Sequence, residues 1–149
     1  MQLRTEIEIA ATPAAVWSVL TDRSRYPEWN PFITEFSGDL AVGATLDITV
    51  APPESSEMRF RPRILRYEPA RELRWRGVLV HSVVFHGEHF LEVHATERGT
   101  TRFVHGEDFG GFLLKFLAPK LTNTARGFVL MNQALKQRVE SLAVLDRVS

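Results

Sequence analysis

Residues 3–9 alternate between apolar and charged side chains with a period of two, which is the pattern of a half-buried β-strand. One face carries Leu3, Thr5, Ile7 and Ile9. Thr12 followed by Pro13 predicts a helix start, because a threonine hydroxyl caps backbone N–H groups and proline suits the first helical position. Pro27 and Pro31 interrupt the next segment, for which we expect a helical turn and then a loop. The pattern therefore predicts one strand followed by two short helices.

Six further segments read as strands separated by short connections that contain glycine or proline. They are residues 32–40, 45–51, 58–67, 72–80, 85–95 and 100–109. Because no helical period separates them, they are expected to form an antiparallel meander.

The period changes after Gly110 and Gly111, where apolar side chains begin to recur every three or four residues along one helical face. These are Phe128, Met131, Leu135, Val139 and Leu142. We expect the main helix over 119–145, a separate turn or short helix at 112–117, and room for a disordered tail after about residue 145. A long helix with one apolar stripe needs a concave sheet to cover it. The predicted fold is α+β: a curved seven-stranded antiparallel sheet wrapped around a long C-terminal helix, with two short helices between strands 1 and 2.

Composition narrows the function classes. The 149 residues suit a single domain, 1–149. Eighteen basic and eighteen acidic side chains cancel, so no global field draws the protein to nucleic acid or anionic lipid. The absence of cysteine excludes disulfides, thiolate nucleophiles and cysteine zinc sites. With no signal-like N-terminus and no membrane span, we expect a cytoplasmic monomer or homodimer without a nucleic-acid partner.

Four short segments resemble a known family. They are 11–17 (Ala-Thr-Pro-Ala-Ala-Val-Trp), 26–31 (Tyr-Pro-Glu-Trp-Asn-Pro), 87–90 (Gly-Glu-His-Phe) and 105–111 (His-Gly-Glu-Asp-Phe-Gly-Gly). Together with the order of elements, they resemble the SRPBCC superfamily of START and Bet v 1-like proteins, specifically its polyketide cyclase/dehydrase-like branch, over nearly the whole chain. The resemblance implies a helix-grip fold with a deep cavity for hydrophobic or aromatic small molecules between the sheet and the long helix. It implies no single reaction, because the superfamily mixes cyclases, lipid carriers, hormone receptors and co-chaperones.

The last predicted hairpin places His89, His105 and Glu107 on its inward face. A three-residue loop at 97–99, with Gly99 in the left-handed conformation, pairs His89 with Glu107. A five-residue loop pairs His89 with His105 instead. Either register buries a polar cluster in an apolar wall, where its members must be hydrogen-bonded.

Three interpretations of this cluster stay open. It is a structural His–Glu pair, or a site of polar recognition or acid–base catalysis on a bound phenol, ketone or carboxylate. The third is a metal site of two histidines and one carboxylate, although the spacing matches no recognised metal motif. We take His89, His105 and Glu107 as the candidate catalytic residues and expect no metal and no cofactor. His86 and His94 have the opposite parity and should face solvent, and His81, near a turn, receives no role.

Strand parity, helical periodicity and family position predict a set of apolar cavity-lining residues: Trp29, Phe36, Phe60, Trp75, Leu91, Phe103, Phe109, Phe128, Met131 and Leu135. Inward aromatic side chains serve packing more often than ligand contact. Trp29 is the strongest candidate exception, because the resemblance implies that its loop borders the cavity mouth, and a purely structural role as a loop anchor stays equally open.

Arginines alternate along two adjacent predicted strands, at Arg59, Arg61 and Arg63 and at Arg74 and Arg76. They form either a solvated face balanced by nearby glutamates or a surface for an anionic partner or a second subunit.

Three functions follow from these observations. The first is binding of a small hydrophobic or aromatic molecule. The second is a cyclase, aromatase or dehydratase that works without a redox cofactor. The third is a co-chaperone-like or complex-subunit interaction module. The sequence has no glycine-rich phosphate loop, no Gly-x-Ser-x-Gly elbow and no His-Glu-x-x-His motif. The motifs for nucleotide chemistry, serine hydrolysis and zinc proteolysis are therefore missing.

Overall fold

The computed structural model describes residues 1–79 and 85–148. The chain begins with β1 (Gln2–Ile9), α1 (Pro13–Thr21), a 3₁₀ turn (Arg23–Arg25) and α2 (Tyr26–Trp29). The next strands are β2 (Ile33–Ser37), β3 (Asp47–Val50), β4 (Met58–Phe60), β5 (Arg63–Glu68), β6 (Glu72–Leu79), β7 (Phe85–Ala95) and β8 (Thr101–Gly110). The last elements are α3 (Leu114–Leu117), a 3₁₀ turn (Ala118–Lys120) and α4 (Leu121–Val148).

The strands form two antiparallel sheets that meet along one seam. The larger has the order β1-β8-β7-β6-β5 and the smaller the order β2-β3-β4. Within residues 1–79 and 85–148, one isolated bridge, between Thr45 and Arg63, connects them. Beside it, the Leu46 N–H donates to the Pro62 carbonyl at 2.8 Å, and the Ile64 N–H donates to the Ala44 carbonyl at 2.9 Å. The two sheets therefore continue one another across this seam.

The predicted helix-grip architecture is confirmed, but the strand count is wrong. The segment predicted as one strand over 58–67 is two strands, β4 and β5, separated at Arg61 and Pro62. Proline has no N–H to give to a ladder, so β4 pairs with β3 while β5 pairs with β6. The predicted strand 72–80 is described as far as Leu79, and Val80 and His81 lie outside the described residues.

The N-terminal helix begins where its sequence predicts. Thr12 caps α1, its hydroxyl accepting from the Ala15 N–H at 3.2 Å, and Pro13 occupies the first turn. The following loop is fastened by Asn30, whose side-chain oxygen accepts from the N–H groups of Phe32 and Ile33 at 2.9 and 2.8 Å. These contacts hold Phe32 against the core, where it is 3% exposed.

Helix α4 lies along β1 and β8 with its apolar stripe turned inward. Phe128, Met131, Leu135 and Val139 are buried, as its periodicity predicts. Leu142 at the end of the stripe is 39% exposed. The helix begins two residues after Pro119, which lies in the preceding 3₁₀ turn, and continues to Val148.

Candidate functional site

The β7–β8 hairpin places His89, His105 and Glu107 together on the inner face of the large sheet. His89 pairs directly with Glu107, and Leu91 with His105. Gly99 has φ of 76° in the tight connection. The three-residue-loop register is therefore confirmed, and the alternative five-residue loop is wrong.

The three side chains form the centre of a continuous hydrogen-bonded chain, which we call the buried relay: Glu107, His89, His105, Asn132 and Thr5. Glu107 Oε1 lies 2.9 Å from His89 Nδ1, and His89 Nε2 lies 2.9 Å from His105 Nε2. His105 Nδ1 lies 2.9 Å from Asn132 Oδ1 on α4, and Asn132 Nδ2 donates to Thr5 Oγ1 on β1 at 2.8 Å. The relay thus runs across β7 and β8 and ends between α4 and β1.

The hydrogen-bond partners fix the direction of every proton in the relay. Because the Asn132 amide donates to Thr5, its oxygen accepts from the His105 Nδ1–H. A neutral His105 then offers Nε2 as an acceptor to the His89 Nε2–H. A neutral His89 therefore has no proton on Nδ1, so this nitrogen accepts a hydrogen bond from the protonated Glu107 carboxyl.

Burial favours this neutral arrangement. Removal from water lowers the pKa of His89 to about 3 and raises the pKa of Glu107 to about 8, with the neighbouring Asp108 carboxylate adding to the second shift. Burial, and then the adjacent His89 ring, hold the pKa of His105 well below its usual value. Near neutral pH, the one proton shared by His89 and Glu107 lies on the carboxyl.

Aromatic rings enclose the two imidazoles. The ring of Trp75 stacks on His89 with a centroid distance of 4.7 Å and an interplanar angle of 3°, and Phe128 stacks on His105 at 4.2 Å and 22°. Phe103 and Phe32 approach His105 at 5.8 and 6.4 Å. His89 and His105 are 4% and 0% exposed, so these rings fill the space around the centre of the relay.

The predicted lining residues divide into four groups. Trp75, Phe103 and Phe128 contact the relay, whereas Leu91, Met131 and Leu135 are buried in the surrounding core. Phe109 stacks on Phe85 at 5.8 Å. Phe36, Phe60 and Trp29 lie on the side of the small sheet and α2, where Phe36 stacks on Tyr26 and Trp29 meets Tyr26 edge-on.

Two surface cavities lie away from the relay. One, of about 740 Å³, includes Phe36 and Phe60 with Pro27, Arg23 and Arg59 around it. The other, of about 410 Å³, lies on the outer face between Arg63, Arg76 and Val78. Neither is lined by a member of the relay, and aromatic rings lie against both imidazoles.

Two of the five outer arginines have carboxylate partners among the described residues. Arg61 Nε binds Asp47 at 3.0 Å, and Arg74 binds Glu72 at 2.8 Å and Asp108 at 3.3 Å. Among the other histidines, His94 is partly exposed and binds Glu92 at 2.8 Å.

Sequence reasoning missed Asn132, Thr5 and Phe32 as site residues. Asn132 carried a usable signal, since it is a polar residue within the buried stripe of α4, next to Met131 and four residues after Phe128. A polar side chain on such a face must find a buried partner. Among the described residues, no group of three histidine, cysteine or carboxylate side chains has a metal-binding arrangement.

The family described as "Polyketide cyclase / dehydrase and lipid transport" matches residues 1–142. The chain belongs to this family. No curated protein matches the sequence significantly. Among the described residues of this polyketide cyclase/dehydrase family member, no helix combines the length and apolarity needed to cross a bilayer.

Solved structures confirm the fold at low sequence identity. A Zhui aromatase/cyclase from a Streptomyces species aligns with a TM-score of 0.72 at 18% identity, covering 94% of this chain and 93% of that one. A norcoclaurine synthase point mutant from Thalictrum flavum, in complex with a transition-state analogue, gives 0.71 at 14% identity, covering 96% of both chains. Ara h 8.0201 gives 0.65 at 13% identity, covering 95% of this chain and 98% of that one. These likenesses establish a Bet v 1-like fold for this family member.

Proposed function

We propose that this protein binds a small hydrophobic or aromatic molecule between the large sheet and α4, with Glu107 as the polar contact for the ligand. The observation that carries the proposal is the buried relay, a set of convergent polar groups enclosed by aromatic rings. A few fixed polar groups in an apolar surround are the usual composition of a small-molecule site.

Glu107 is the member of the relay that is positioned to meet a ligand. Its side chain is 19% exposed, whereas that of His89 is 5% exposed. Gly87, on the neighbouring strand, lies so close that a Cβ at this position would overlap Glu107 Oε2. The inner imidazoles are covered by Trp75 and Phe128, so a ligand would reach the relay from the Glu107 end, beside Phe109.

Thermal unfolding with panels of phenols, flavonoids, sterols, fatty acids and aromatic polyketides tests the binding proposal, because a ligand that prefers the folded state raises the melting temperature. We expect at least one class to raise it, and Glu107→Leu to reduce that shift. Glu88→Leu, on the outer face of the same strand pair, is the matched control and should leave the shift intact. If no class raises the melting temperature, the binding proposal fails, and the interaction module, which the closely packed rings also favour, gains support.

The raised pKa of Glu107 favours a second candidate function, acid–base catalysis of a cyclase or dehydratase reaction. A carboxyl that keeps its proton near pH 7 can give it to a substrate hydroxyl as the C–O bond breaks and water leaves. The resulting carboxylate then takes the proton from the adjacent carbon, whose C–H electron pair forms the C=C bond, and the acid is restored. His89 would hold the carboxyl in position throughout.

Glu107→Gln separates catalysis from binding. The glutamine amide donates to His89 Nδ1 as the protonated carboxyl does, but it has no proton to transfer. For an enzyme we expect turnover to fall by about 10²–10⁴-fold while ligand affinity is kept. Turnover in the natural protein should also decline as pH rises through about 8, where Glu107 ionises. Undiminished turnover in Glu107→Gln would remove this candidate.

A further inference from the structure

The segment between β8 and α4, residues 112–120, exposes two large aromatic side chains to solvent. Phe112 and Phe116 are 62% and 67% exposed. Lys115, Pro119 and Lys120 are exposed as well, whereas Leu113, Leu114 and Leu117 are partly covered. The exposed positions are spaced by one or three residues, so they follow one side of the helical path through α3 and the 3₁₀ turn.

The same segment lies in a long stretch without acidic residues. No aspartate or glutamate occurs between residues 109 and 139, although five lysines and arginines do. Three of these are paired: Arg126 with Glu54, Lys136 with Glu140, and Arg138 with Glu28. The other two are Lys115 and Lys120, and within the described part of the chain neither has a carboxylate within 4 Å.

Glu54, the acidic side chain that contacts the first turns of α4, is paired with Arg126 at 3.1 Å. Asp108 is the nearest acidic residue before it in the sequence, and its carboxylate binds Arg74 at 3.3 Å. The zero net charge of the whole chain thus conceals a local region that is both apolar and basic.

We infer that the segment 112–120 docks this protein on the surface of an anionic lipid bilayer, with Phe112 and Phe116 inserted among the acyl chains and Lys115 and Lys120 at the phosphate level. Aromatic side chains flanked by lysines have the composition of interfacial anchors. Each lysine near an anionic surface adds to the attraction, and that part is screened by salt.

A bilayer fits this surface better than a second copy of the chain. A symmetric contact through the segment would bring Lys115 and Lys120 against their own counterparts, so like charges would oppose the association. Both phenylalanines are more than 60% exposed, so they project from the surface rather than line a groove for a peptide. A bilayer accepts projecting apolar side chains without a complementary shape.

Vesicle co-sedimentation tests the inference without any cavity ligand, so failure leaves the proposed function untouched. We expect binding to phosphatidylcholine vesicles that contain phosphatidylglycerol, and weaker binding to phosphatidylcholine alone. Phe112→Ser with Phe116→Ser should lower the partition coefficient by about a hundredfold, and Lys115→Gln with Lys120→Gln by about 25-fold. High salt should lower the partition coefficient of the natural protein as the lysine substitutions do, because salt screens the charge contribution and leaves the insertion of the phenylalanines unchanged.

Val42→Ser is the matched control, since Val42 is 67% exposed in a different loop, and it should bind as the natural protein does. Melting temperatures of all variants should agree closely, because the substituted side chains are exposed. The inference is overturned by absent binding to the anionic vesicles, or by an equal loss in Val42→Ser. It is also overturned if light scattering shows a dimer that Phe112→Ser with Phe116→Ser dissolves, because a second copy would then occupy the surface.

Discussion

At the scale of single residues, buried His89, His105 and Glu107 make the free energy of unfolding depend on pH in two opposite directions. Buried His89 and His105 stay neutral in the folded state, with the pKa of His89 at about 3, against an ordinary value of 6.5. Unfolded histidines take up protons below about pH 6.5, so the free energy of unfolding falls as pH decreases from there. Glu107 has a folded pKa of about 8 against an ordinary 4.5, so its contribution falls as pH rises between these values.

The free energy of unfolding should therefore pass through a maximum near pH 6.5. Below this pH, the stability lost through His89 and His105 exceeds the stability gained through Glu107. Above it, the effect of Glu107 remains, and the free energy of unfolding falls by up to about 1.4 kcal/mol per pH unit. Urea unfolding at pH 5.5, 6.5 and 8 measures this profile. Glu107→Gln keeps the hydrogen bond to His89 and should flatten the limb between pH 6.5 and 8. A limb of unchanged slope in that variant would show that another group causes it.

Asn132 should matter more for stability than its type suggests. Asn132→Ala removes the acceptor of the His105 Nδ1–H and the donor to Thr5, so buried His105 and partly buried Thr5 each lose a hydrogen bond, at a total cost of about 1–3 kcal/mol. Asn123→Ala on the same helix is the control, because its side chain binds Ser55 at an exposed position and should cost about 0.5 kcal/mol or less. Equal losses in the two variants, measured by urea unfolding, would contradict a special role for Asn132.

Much of this site follows from parity along two strands, whereas its helical half does not. Alternation alone placed His89, His105 and Glu107 on one face, but two loop lengths stayed open, and the structure decided that His89 opposes Glu107. Asn132 belongs to a separate element, 27 residues after His105. Its contact depends on how α4 is rotated and translated over β1, which a helical period describes only to within about a third of a turn.

At the scale of secondary structure elements, the wrong strand boundary arose because a backbone constraint, a proline, overrode the continuous strand-forming pattern. Residues 58–67 read as one strand because their β-forming composition is continuous, yet Pro62 divides it. The division lets β4 stay with β3 while β5 turns to β6. The proline was visible in the sequence, but whether it bends a strand or ends it depends on which neighbours the two halves find.

The approach of α4 to the N-terminal loop depends on Gly127. A Cβ at this position would overlap the ring of Phe32, although alanine favours a helix over glycine by about 1 kcal/mol. Overpacking typically costs about 1–3 kcal/mol, so we expect Gly127→Ala to lower the free energy of unfolding by about 1 kcal/mol. Phe32→Leu in the same chain should restore part of the loss. A Gly127→Ala protein more stable than the natural one would show that Phe32 moves aside freely.

At the scale of the whole molecule, the fold was predictable and the state of its interior was not. The order of elements and the family segments gave the helix grip, because these depend on patterns spread along the chain. Whether a pocket is open beneath α4 depends on side-chain packing: Trp75 and Phe128 occupy the space beside the imidazoles. The same aromatic residues were predicted as pocket lining, and sequence alone does not distinguish a residue that lines a pocket from one that fills the space.

The seam between the two sheets is where this packed interior should open first. In the described part of the chain, one bridge and a few hydrogen bonds join the small sheet to the large one, and β4 has three residues. Across this seam the ring of Phe36 packs against that of Trp75, with a centroid distance of 5.6 Å. Trp75 in turn stacks on the ring of His89. Movement of the small sheet would therefore uncover a path to the relay.

Native-state hydrogen exchange measures this opening. Amides of β3 should exchange about tenfold or more faster than those at the centre of β7 and β8, since weakly joined units open before global unfolding. A bound ligand that needs the opening should change protection in β3 more than in β1, because β1 lies beyond β8 on the far side of the large sheet. Equal protection in β3 and β8 would show that the sheets open only together, and a ligand would then have to enter by the Glu107 end without any separation at the seam.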